Sequence, residues 1–403
     1  MTNDTNTVQR VIGFDSHPDS FTAAIVRGTT PLNALEEKIF NKVPLGQLKK
    51  WAQKHTFKKD LFVLEASGNS FQVVRVLAAI ERRALVLESC QMGKLKEAHA
   101  NNDKISALRI AKAYLAGTAK EVWVPDQKTQ ERRDWFHAHR KASRLVTQLN
   151  NSLKSYLSDN GVRLVKGTRL TQSNAAALLK EAHDWSPRQW RVIEGQLMAL
   201  GHAEQQRRHW RSLIAQEVLT DPALLALTRL CGVREMVAFA LGAIIGDIHR
   251  FASPKKLVKY IGFNPAFDDS GQATWSGGIG GHGRKDLRCL LVESAHSVLR
   301  CSTSALAKWG KKLMARKGSR NLAVAAVARK LTVAIWYLMN GRWTALKEID
   351  DALHCKINAM IARIGAEGLK ILGKLRSDFR AEIQQNYKIY VLKPNLRYNP
   401  QPK

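Results

Sequence analysis

The sequence predicts an α/β fold for the N-terminal part of the chain and an all-α fold for most of the remainder. Over residues 1–117, short apolar runs of strand length alternate with helical periods. Residues 118–220 contain two long stretches in which apolar side chains recur every three or four positions. Residues 221–403 combine Ala-rich helical patterns with a glycine-rich loop. We therefore expect an α/β domain, a helical linker and a mainly helical C-terminal domain.

The first domain opens with three predicted strands, and a tight turn at 17–19 joins the first two of them. We expect strands at 10–15, 20–27, 32–40, 61–67 and 84–89, and helices at 45–55, 70–81, 91–99 and 103–116. Three strands followed by helix, strand, helix, strand and further helices is the order of a ribonuclease H-like fold. That is the fold that we predict for residues 1–117.

Three acidic residues stand at the ends of these elements. Asp15 ends the first strand, Glu65 ends the fourth, and Asp103 opens the last helix. In a ribonuclease H-like fold, acids at these places meet. Clustered carboxylates repel one another unless a cation lies between them, and oxygen ligands suit Mg²⁺. The sequence therefore predicts a Mg²⁺ site, while the plain alternative is that Asp15 and Glu65 merely end strands in solvent.

The linker is predicted to form a helical hairpin. A short extended segment at 121–126 precedes a long helix at 127–158, a shorter one at 170–182 and a second long one at 187–218. Two long antiparallel helices favour a coiled coil that joins copies of the chain, and a plain spacer fits equally well. Near the base of this hairpin, Arg132, Arg133, Arg140, Lys141 and Arg144 form either a solvated basic face or a nucleic-acid contact.

A serine in the glycine-rich stretch 267–290 is the candidate nucleophile of the C-terminal domain. Ser270 directly precedes Gly271, and five further glycines follow up to position 283. Glycines let backbone N–H groups approach an anion, so a hydroxyl held there could attack a phosphodiester. Ser276 is the second candidate, and an ordinary flexible loop is the plain alternative.

Basic residues dominate the helices that follow this loop, which we expect at 284–300 and 321–339. Between 284 and 330 there are 12 basic and 2 acidic residues. The excess predicts contacts to nucleic-acid phosphates. The residues that we expect to make them are Arg284, Lys285, Arg288, Lys311, Lys312, Arg316, Lys317 and Arg320. A helix, glycine turn and helix at 221–245 could also present N–H groups to a phosphate, although a plain helical hairpin explains it as well.

Composition narrows the class of partner. The chain carries 64 Lys and Arg against 34 Asp and Glu, a formal charge of +30, and residues 221–403 hold 30 of the basic and 13 of the acidic residues. This excess predicts a polyanionic partner, most simply nucleic acid. We expect no membrane span and see no secretory pattern at the start of the chain. The five cysteines have no metal-ligand spacing, and their odd number indicates reduced thiols in a cytosol.

An ordered series of motifs along the chain resembles one known family. The motifs are RVIGFDSH (10–17), LFVLEASGN (61–69), NDKISALRIAK (102–112), RLCGV (229–233), RF-x-S-x(3)-L-x(2)-Y-x-G-x-x-P (250–265), SG (270–271), LR-x-LLVE-x-A (287–295) and ARKL (328–331). They are similar to those of the IS-one-ten family of insertion-sequence transposases, together with the Piv-type invertases. The order and spacing of the whole series are more specific than any single motif.

The resemblance implies a RuvC-like domain with an Asp-Glu-Asp-Asp tetrad and a serine nucleophile in the second domain. It carries the first three acids onto Asp15, Glu65 and Asp103, and the nucleophile onto Ser270. The fourth acid would stand at Ser106, where a hydroxyl is a weak, neutral ligand for Mg²⁺.

The function that the resemblance implies is that of a DNA transposase or site-specific recombinase of the bacterial cytosol and nucleoid. It would cut and rejoin donor and target DNA through a phosphoserine, with Mg²⁺ at the acidic site. A structured bridge RNA and a homodimer or homotetramer are implied as well. Two alternatives stay open: a metal-dependent junction nuclease that cuts with water, and a catalytically weakened, RNA-guided DNA-binding protein, which Ser106 favours.

Overall fold

The computed structural model of the chain describes residues 9–386, apart from 90–101, 271–272, 343–352 and scattered positions between 166 and 182. For 266–270, 273–277, 384 and 386 it describes the backbone alone. The helix predicted at 91–99 and much of the one at 170–182 lie outside the described residues. The chain divides into two compact units, Met1–Asp126 and Gln127–Lys403. The predicted boundary at residue 220, within the second unit, stays a prediction.

A six-stranded sheet forms the centre of the first unit. Its strands are β1 (Gln9–Ser16), β2 (Ser20–Gly28), β3 (Leu35–Pro44), β4 (Leu61–Glu65), β5 (Arg83–Leu87) and β6 (Glu121–Val122). The strands lie in the order β3-β2-β1-β4-β5-β6. The three strands β1, β2 and β3 are antiparallel neighbours, whereas β4 and β5 run parallel to β1. The five predicted strands are therefore present, and the short extended segment after them joins the sheet as an antiparallel sixth strand.

Helices cover both faces of this sheet. They are α1 (Leu48–His55), α2 (Ser70–Ala78) and α3 (Asp103–Leu115). Successive side chains of a strand point to opposite faces. In β1, Ile12 and Phe14 accordingly pack with α1 and α2, and Val11 packs with α3 on the other face. Burial on both faces explains why the central strands are nearly continuous apolar runs.

The second unit begins with a long helical hairpin. Its helices are α4 (Gln127–Asp159) and α5 (Pro187–Thr220). Leu153 and Leu157, near the end of α4, share an apolar cluster with Ile193 and Leu197, near the start of α5. At the other end of the hairpin, Arg132 pairs with Glu217 at 2.6 Å, so the two helices are antiparallel, as the periodicity predicts. The capping box at Ser186 and Gln189 starts α5 where the sequence places Pro187.

Helices and one hairpin make up the rest of the second unit. They are α6 (Pro222–Leu227), α7 (Glu235–Ile245), α8 (Pro254–Ile261), β7 (Pro265–Ser270), β8 (Ala273–Ile279), α9 (Lys285–Cys301), α10 (Ala305–Lys317), α11 (Arg320–Met339), α12 (Leu353–Ile371) and α13 (Arg376–Asn386). The β7–β8 hairpin was not expected, because the sequence there lacks any apolar period. A two-stranded ladder needs backbone pairing rather than a buried face, so periodicity could not reveal it.

Helix α11 is long and apolar enough to cross a membrane by length and composition, with a mean hydropathy of 1.6 over its most apolar 18 residues. One such helix is weak evidence for a membrane span, and the expectation that the chain has none stays a prediction. Half of that window is buried inside the protein. Val327, Leu331 and Ile335 belong to the main apolar core of the second unit, and buried core helices of this kind meet the same criterion.

Candidate functional site

The first two predicted acids lie side by side at the carboxyl ends of two neighbouring central strands. Strands β1 and β4 are parallel, and Phe14 is aligned with Leu64. The next residue on each strand is Asp15 and Glu65. By the alternation along β1, Asp15 shares a face with Val11, which is the face that α3 covers. The sheet register therefore brings two of the predicted metal ligands together.

Helix α3 supplies the third acid because it can approach β1 unusually closely. A Cβ atom at Gly13 would lie 1.9 Å from the carbonyl oxygen of Ala107 and 2.9 Å from the backbone nitrogen of Ala111. Only a glycine leaves room for the helix backbone there. Asp103 is the first residue of α3, so this close packing determines how near its carboxylate comes to β1.

The start of α3 is held by a conventional cap. The side chain of Asn102 accepts a hydrogen bond from the backbone N–H of Ile105 at 2.9 Å. A carboxylate in the first helical turn is favoured by the partial positive charge of the helix N-terminus. Asp103 is therefore placed by the end of a helix, whereas Asp15 and Glu65 are placed by the ends of strands.

A histidine that the sequence analysis assigned only to a turn completes this group. The Nε2 atom of His17 lies 3.5 Å from Oδ1 of Asp103 and 3.9 Å from Oδ2 of Asp15. One ligand atom from each of these three half-buried residues lies within 4.8 Å of the others. The sequence signal that could have indicated this was the spacing of two residues between Asp15 and His17, because alternate side chains of an extended segment point to the same side.

Hydrogen bonds fix the turn that carries His17. The hydroxyl of Ser16 donates to the side-chain oxygen of Asn69 at 2.9 Å. The side-chain amide of Asn69 donates to the carbonyl oxygen of His17 at 2.8 Å. The backbone N–H of His17 donates to the carbonyl oxygen of Ser20, also at 2.8 Å. The loop after β4 and the turn after β1 are thus tied together beside the acids.

The donor set fits a divalent cation. Two carboxylates and an imidazole nitrogen lie within reach of one ion, and Glu65 follows on the neighbouring strand. Oxygen ligands suit Mg²⁺, and imidazole suits the transition metals. Ser106 lies half-buried one helical turn after Asp103, on the same face of α3. Its hydroxyl offers at most a neutral ligand at the fourth position.

The predicted nucleophile stands at the tip of the β7–β8 hairpin. Ser270 is the last residue of β7, and its backbone is paired with that of Ala273 at the start of β8. The second candidate, Ser276, lies within β8 opposite Phe267. Both side chains lie outside the described part of the chain, and their assignment stays a prediction.

The root of this hairpin is held by two glycines with positive φ. Gly262 (φ 91°) and Gly283 (φ 89°) are packed against each other, because a Cβ at Gly283 would lie 2.8 Å from the nitrogen of Gly262. Arg288 adds side-chain hydrogen bonds to the carbonyl oxygens of His282 at 2.7 Å and Ile261 at 3.2 Å. Gly262, the glycine of the Y-x-G motif, is therefore needed because two backbone segments pass in direct contact here.

Two of the predicted phosphate-binding arginines have intramolecular partners. Arg288 donates to the carbonyls just described, and Arg284 donates twice to Asp286, at 3.1 and 2.6 Å. Burial raises the pKa of Asp286, but the hydrogen bonds and charge of Arg284 outweigh it and hold that pKa below its usual value. Asp286 therefore stays ionised beside the start of α9. The remaining expected contacts, namely Lys285, Lys311, Lys312, Arg316, Lys317 and Arg320, are all exposed.

Two arginines of the basic patch at the base of the helical hairpin have intramolecular partners. Arg132 pairs with Glu217 and Asp221. Arg133 donates to the carbonyl oxygens of Ala243 at 2.9 Å and Ile244 at 3.2 Å, which are the last turn of α7. Cations favour the C-terminal carbonyls of a helix. These two guanidinium groups therefore hold α4 against α5 and α7.

Comparison with known proteins finds a family match within the second unit. Residues 225–310, from α6 to α10 and including the β7–β8 hairpin, match the sequence model of the transposase IS116/IS110/IS902 family. This part of the chain therefore resembles a domain of that transposase family. Of its relatives, the transposase for insertion sequence element IS1111A of Coxiella burnetii is 28% identical over 250 residues, which are 60% of this chain and 68% of the relative.

A second relative is the protein named "Putative transposase y4qE" of Sinorhizobium fredii. It is 25% identical over 239 residues, which are 59% of this chain and 58% of that protein. The chain thus spans somewhat more than half the length of this relative. The resemblance that the motifs indicated, to the IS-one-ten transposases, is confirmed by the match of the C-terminal unit.

Proposed function

We propose that this protein is a DNA transposase that cuts and rejoins DNA through a phosphoserine at Ser270. The observation that carries the proposal is the transposase-family match over residues 225–310, which encloses the hairpin whose tip is Ser270. Pairing with Ala273 gives this serine a defined backbone position at the end of β7.

The first unit is proposed to be a RuvC-like domain of ribonuclease H type. Its strand order, three antiparallel strands followed by two strands parallel to β1, supports this assignment. The acids Asp15, Glu65 and Asp103 would hold Mg²⁺. When bound, such an ion supplies charge stabilisation to phosphate oxygens.

The chain's own chemistry can be written as two balanced steps. The Oγ atom of Ser270 forms a bond to the DNA phosphorus while the bond to the 3′ oxygen breaks, and the serine proton ends on the released 3′-hydroxyl. A 3′-hydroxyl from the other DNA end then attacks the phosphoserine, which restores a phosphodiester and returns a proton to Ser270. Because the phosphoserine ester conserves the energy of the broken phosphodiester bond, no nucleoside triphosphate is required.

Charge and exposed apolar residues support the proposed partners. No acidic residue occurs between positions 305 and 330, and α10 exposes Lys311, Lys312, Arg316 and Lys317. Such a face suits the backbones of donor DNA, target DNA and a structured guide RNA. Along the helical hairpin, Leu145 on α4 and Met198 on α5 are 38% and 69% exposed. In the homodimer or homotetramer that the family resemblance implies, these side chains are candidates for the contact between copies.

The test is to trap the covalent intermediate. Purified protein is incubated with Mg²⁺, any RNA that copurifies with it, and labelled DNA carrying the ends of its element, then denatured and resolved by electrophoresis. We expect a protein–DNA adduct from the wild type and from Ser276→Ala, and none from Ser270→Ala. An adduct that survives Ser270→Ala would refute the nucleophile.

The alternatives give other products in the same assay. A water-using nuclease would yield cut DNA without any adduct. A weakened DNA-binding protein, which Ser106 at the fourth acid position favours, would yield a retarded complex without cut DNA. Either result from wild-type protein would overturn the phosphoserine proposal.

A further inference from the structure

We infer that His17 is a ligand of the metal centre. It supplies the fourth strong ligand, which Ser106 at the fourth acid position does not provide, and it makes the centre prefer Mn²⁺ to Mg²⁺. The inference deepens the proposed function and rests on its metal centre. It concerns a residue that neither the acidic motifs nor the family comparison assigns. The chemical class of the ligand is a divalent first-row metal ion.

The first argument is the direction of the imidazole. Its Nε2 atom lies between two carboxylates, 3.5 Å from Asp103 and 3.9 Å from Asp15. Although 43% of the side chain is exposed, Nε2 itself is buried and has no hydrogen-bond partner among the described residues. A buried nitrogen without such a partner costs free energy unless something binds it. A cation shared with the carboxylates would satisfy all three groups.

The second argument is that the backbone of His17 is held in place by groups outside the acidic cluster. The peptide groups on both sides of His17 are fixed, since its N–H donates to Ser20 and its carbonyl accepts from Asn69. Asn69 in turn accepts from Ser16 and Ser67, at 2.9 and 3.1 Å. A ligand whose backbone is fixed in this way loses little conformational freedom on binding an ion.

The third argument is the composition of the group. With serine at position 106, the centre has one carboxylate fewer than an Asp-Glu-Asp-Asp tetrad. An imidazole restores the number of strong donors but replaces an oxygen with a nitrogen. Mg²⁺ prefers oxygen ligands, whereas Mn²⁺ also accepts imidazole. The metal preference should therefore move toward Mn²⁺.

One other role for His17 predicts the opposite result. A protonated ring would itself be the cation between Asp15 and Asp103, and it would compete with a metal ion for the carboxylates. In that case, removal of the ring would strengthen the binding of both Mg²⁺ and Mn²⁺. The two roles are thus separated by the sign of one measurement.

The experiment measures metal binding by the full-length protein without DNA. Mn²⁺ is titrated and free Mn²⁺ is read by electron paramagnetic resonance, and Mg²⁺ affinity is obtained by competition. For His17→Ala and His17→Gln we expect Mn²⁺ binding to weaken by at least about tenfold, the lower end of what loss of even an indirect partner costs at metal sites. Mg²⁺ binding should change by less than the Mn²⁺ binding. Pulsed spectra of bound Mn²⁺ should show ¹⁴N coupling in the wild type and none in either variant.

Two further variants serve as controls. His55→Gln removes another histidine of the same unit, whose ring packs on Phe40 on the sheet face that α1 and α2 cover, and it should keep both the affinity and the ¹⁴N coupling. Adding Ser106→Asp to His17→Ala should restore Mg²⁺ affinity without restoring the coupling, which also shows that the doubly substituted protein is folded.

Three outcomes would overturn the inference: unchanged Mn²⁺ affinity in both His17 variants, tighter binding in them, or absence of Mn²⁺ binding and ¹⁴N coupling in the wild type. None of these affects the covalent adduct at Ser270. Failure of this inference can therefore be told apart from failure of the proposed function.

Discussion

The close packing of α3 on β1 can be tested at a single position. Replacing Gly13 with alanine adds one methyl group, whose carbon would lie 1.9 Å from the carbonyl oxygen of Ala107. Contacts below 3.0 Å essentially never occur for a Cβ atom, so the helix must move away by about 1 Å or more. The obstacle is backbone, which cannot rotate aside as a side chain can.

The expected loss in the free energy of unfolding follows from this displacement of α3. Overpacking of a core typically costs about 1–3 kcal/mol, and we expect the upper part of that range because both neighbours, Ala107 and Ala111, oppose the methyl group with backbone atoms. Asp103 moves with α3 and away from Asp15. Gly13→Ala should therefore lose metal affinity as well as stability.

The assay is urea unfolding of the full-length protein, followed by a Mn²⁺ titration of the folded variant. Gly46→Ala is the matched control, since a Cβ there meets nothing within 4 Å. We expect the control to behave like the wild type. An unchanged unfolding midpoint for Gly13→Ala would refute the packing argument, and a lower midpoint with unchanged Mn²⁺ affinity would refute the link from Gly13 to Asp103.

Two further predictions concern the second unit. Buried Lys356 donates through Nζ to the carbonyl oxygens of the turn between α6 and α7, at 2.8 to 2.9 Å; Lys356→Met leaves these acceptors without that donor and should cost roughly 2–4 kcal/mol in urea unfolding, whereas exposed Lys370→Met on the same helix should cost little. Burial, with smaller contributions from Arg211 and Arg207, lowers the pKa of His139 from 6.5 to about 4. The unfolded chain therefore binds this proton first, and the stability that neutral His139 contributes, full above about pH 6.5, is lost as the pH falls toward 4. The midpoint of urea unfolding should therefore depend less on pH in His139→Gln than in the wild type over this range. Identical pH profiles for the two proteins would refute the lowered pKa of His139.

The sequence by itself determined the elements of the first unit and the ends at which its acids stand. Apolar runs with the right length produced the strands, because burial on both faces of a parallel core leaves a continuous apolar signal. The same reasoning placed Asp15, Glu65 and Asp103 at element ends. The long α4–α5 hairpin was also predictable, since a helix that packs along its whole length repeats its apolar residues every three or four positions.

Only the tertiary structure decided which side chains meet. Gly13 appears ordinary in the sequence, and its importance comes from a helix that begins 90 residues later. Arg288 has the composition of a phosphate contact, but the crossing at Gly262 turns it toward backbone carbonyls. His17 reads as a turn residue until α3 brings Asp103 beside it. The physical reason is common to all three: periodicity records which face of an element is buried, whereas contacts between polar groups depend on the register and separation of elements that are distant in the chain.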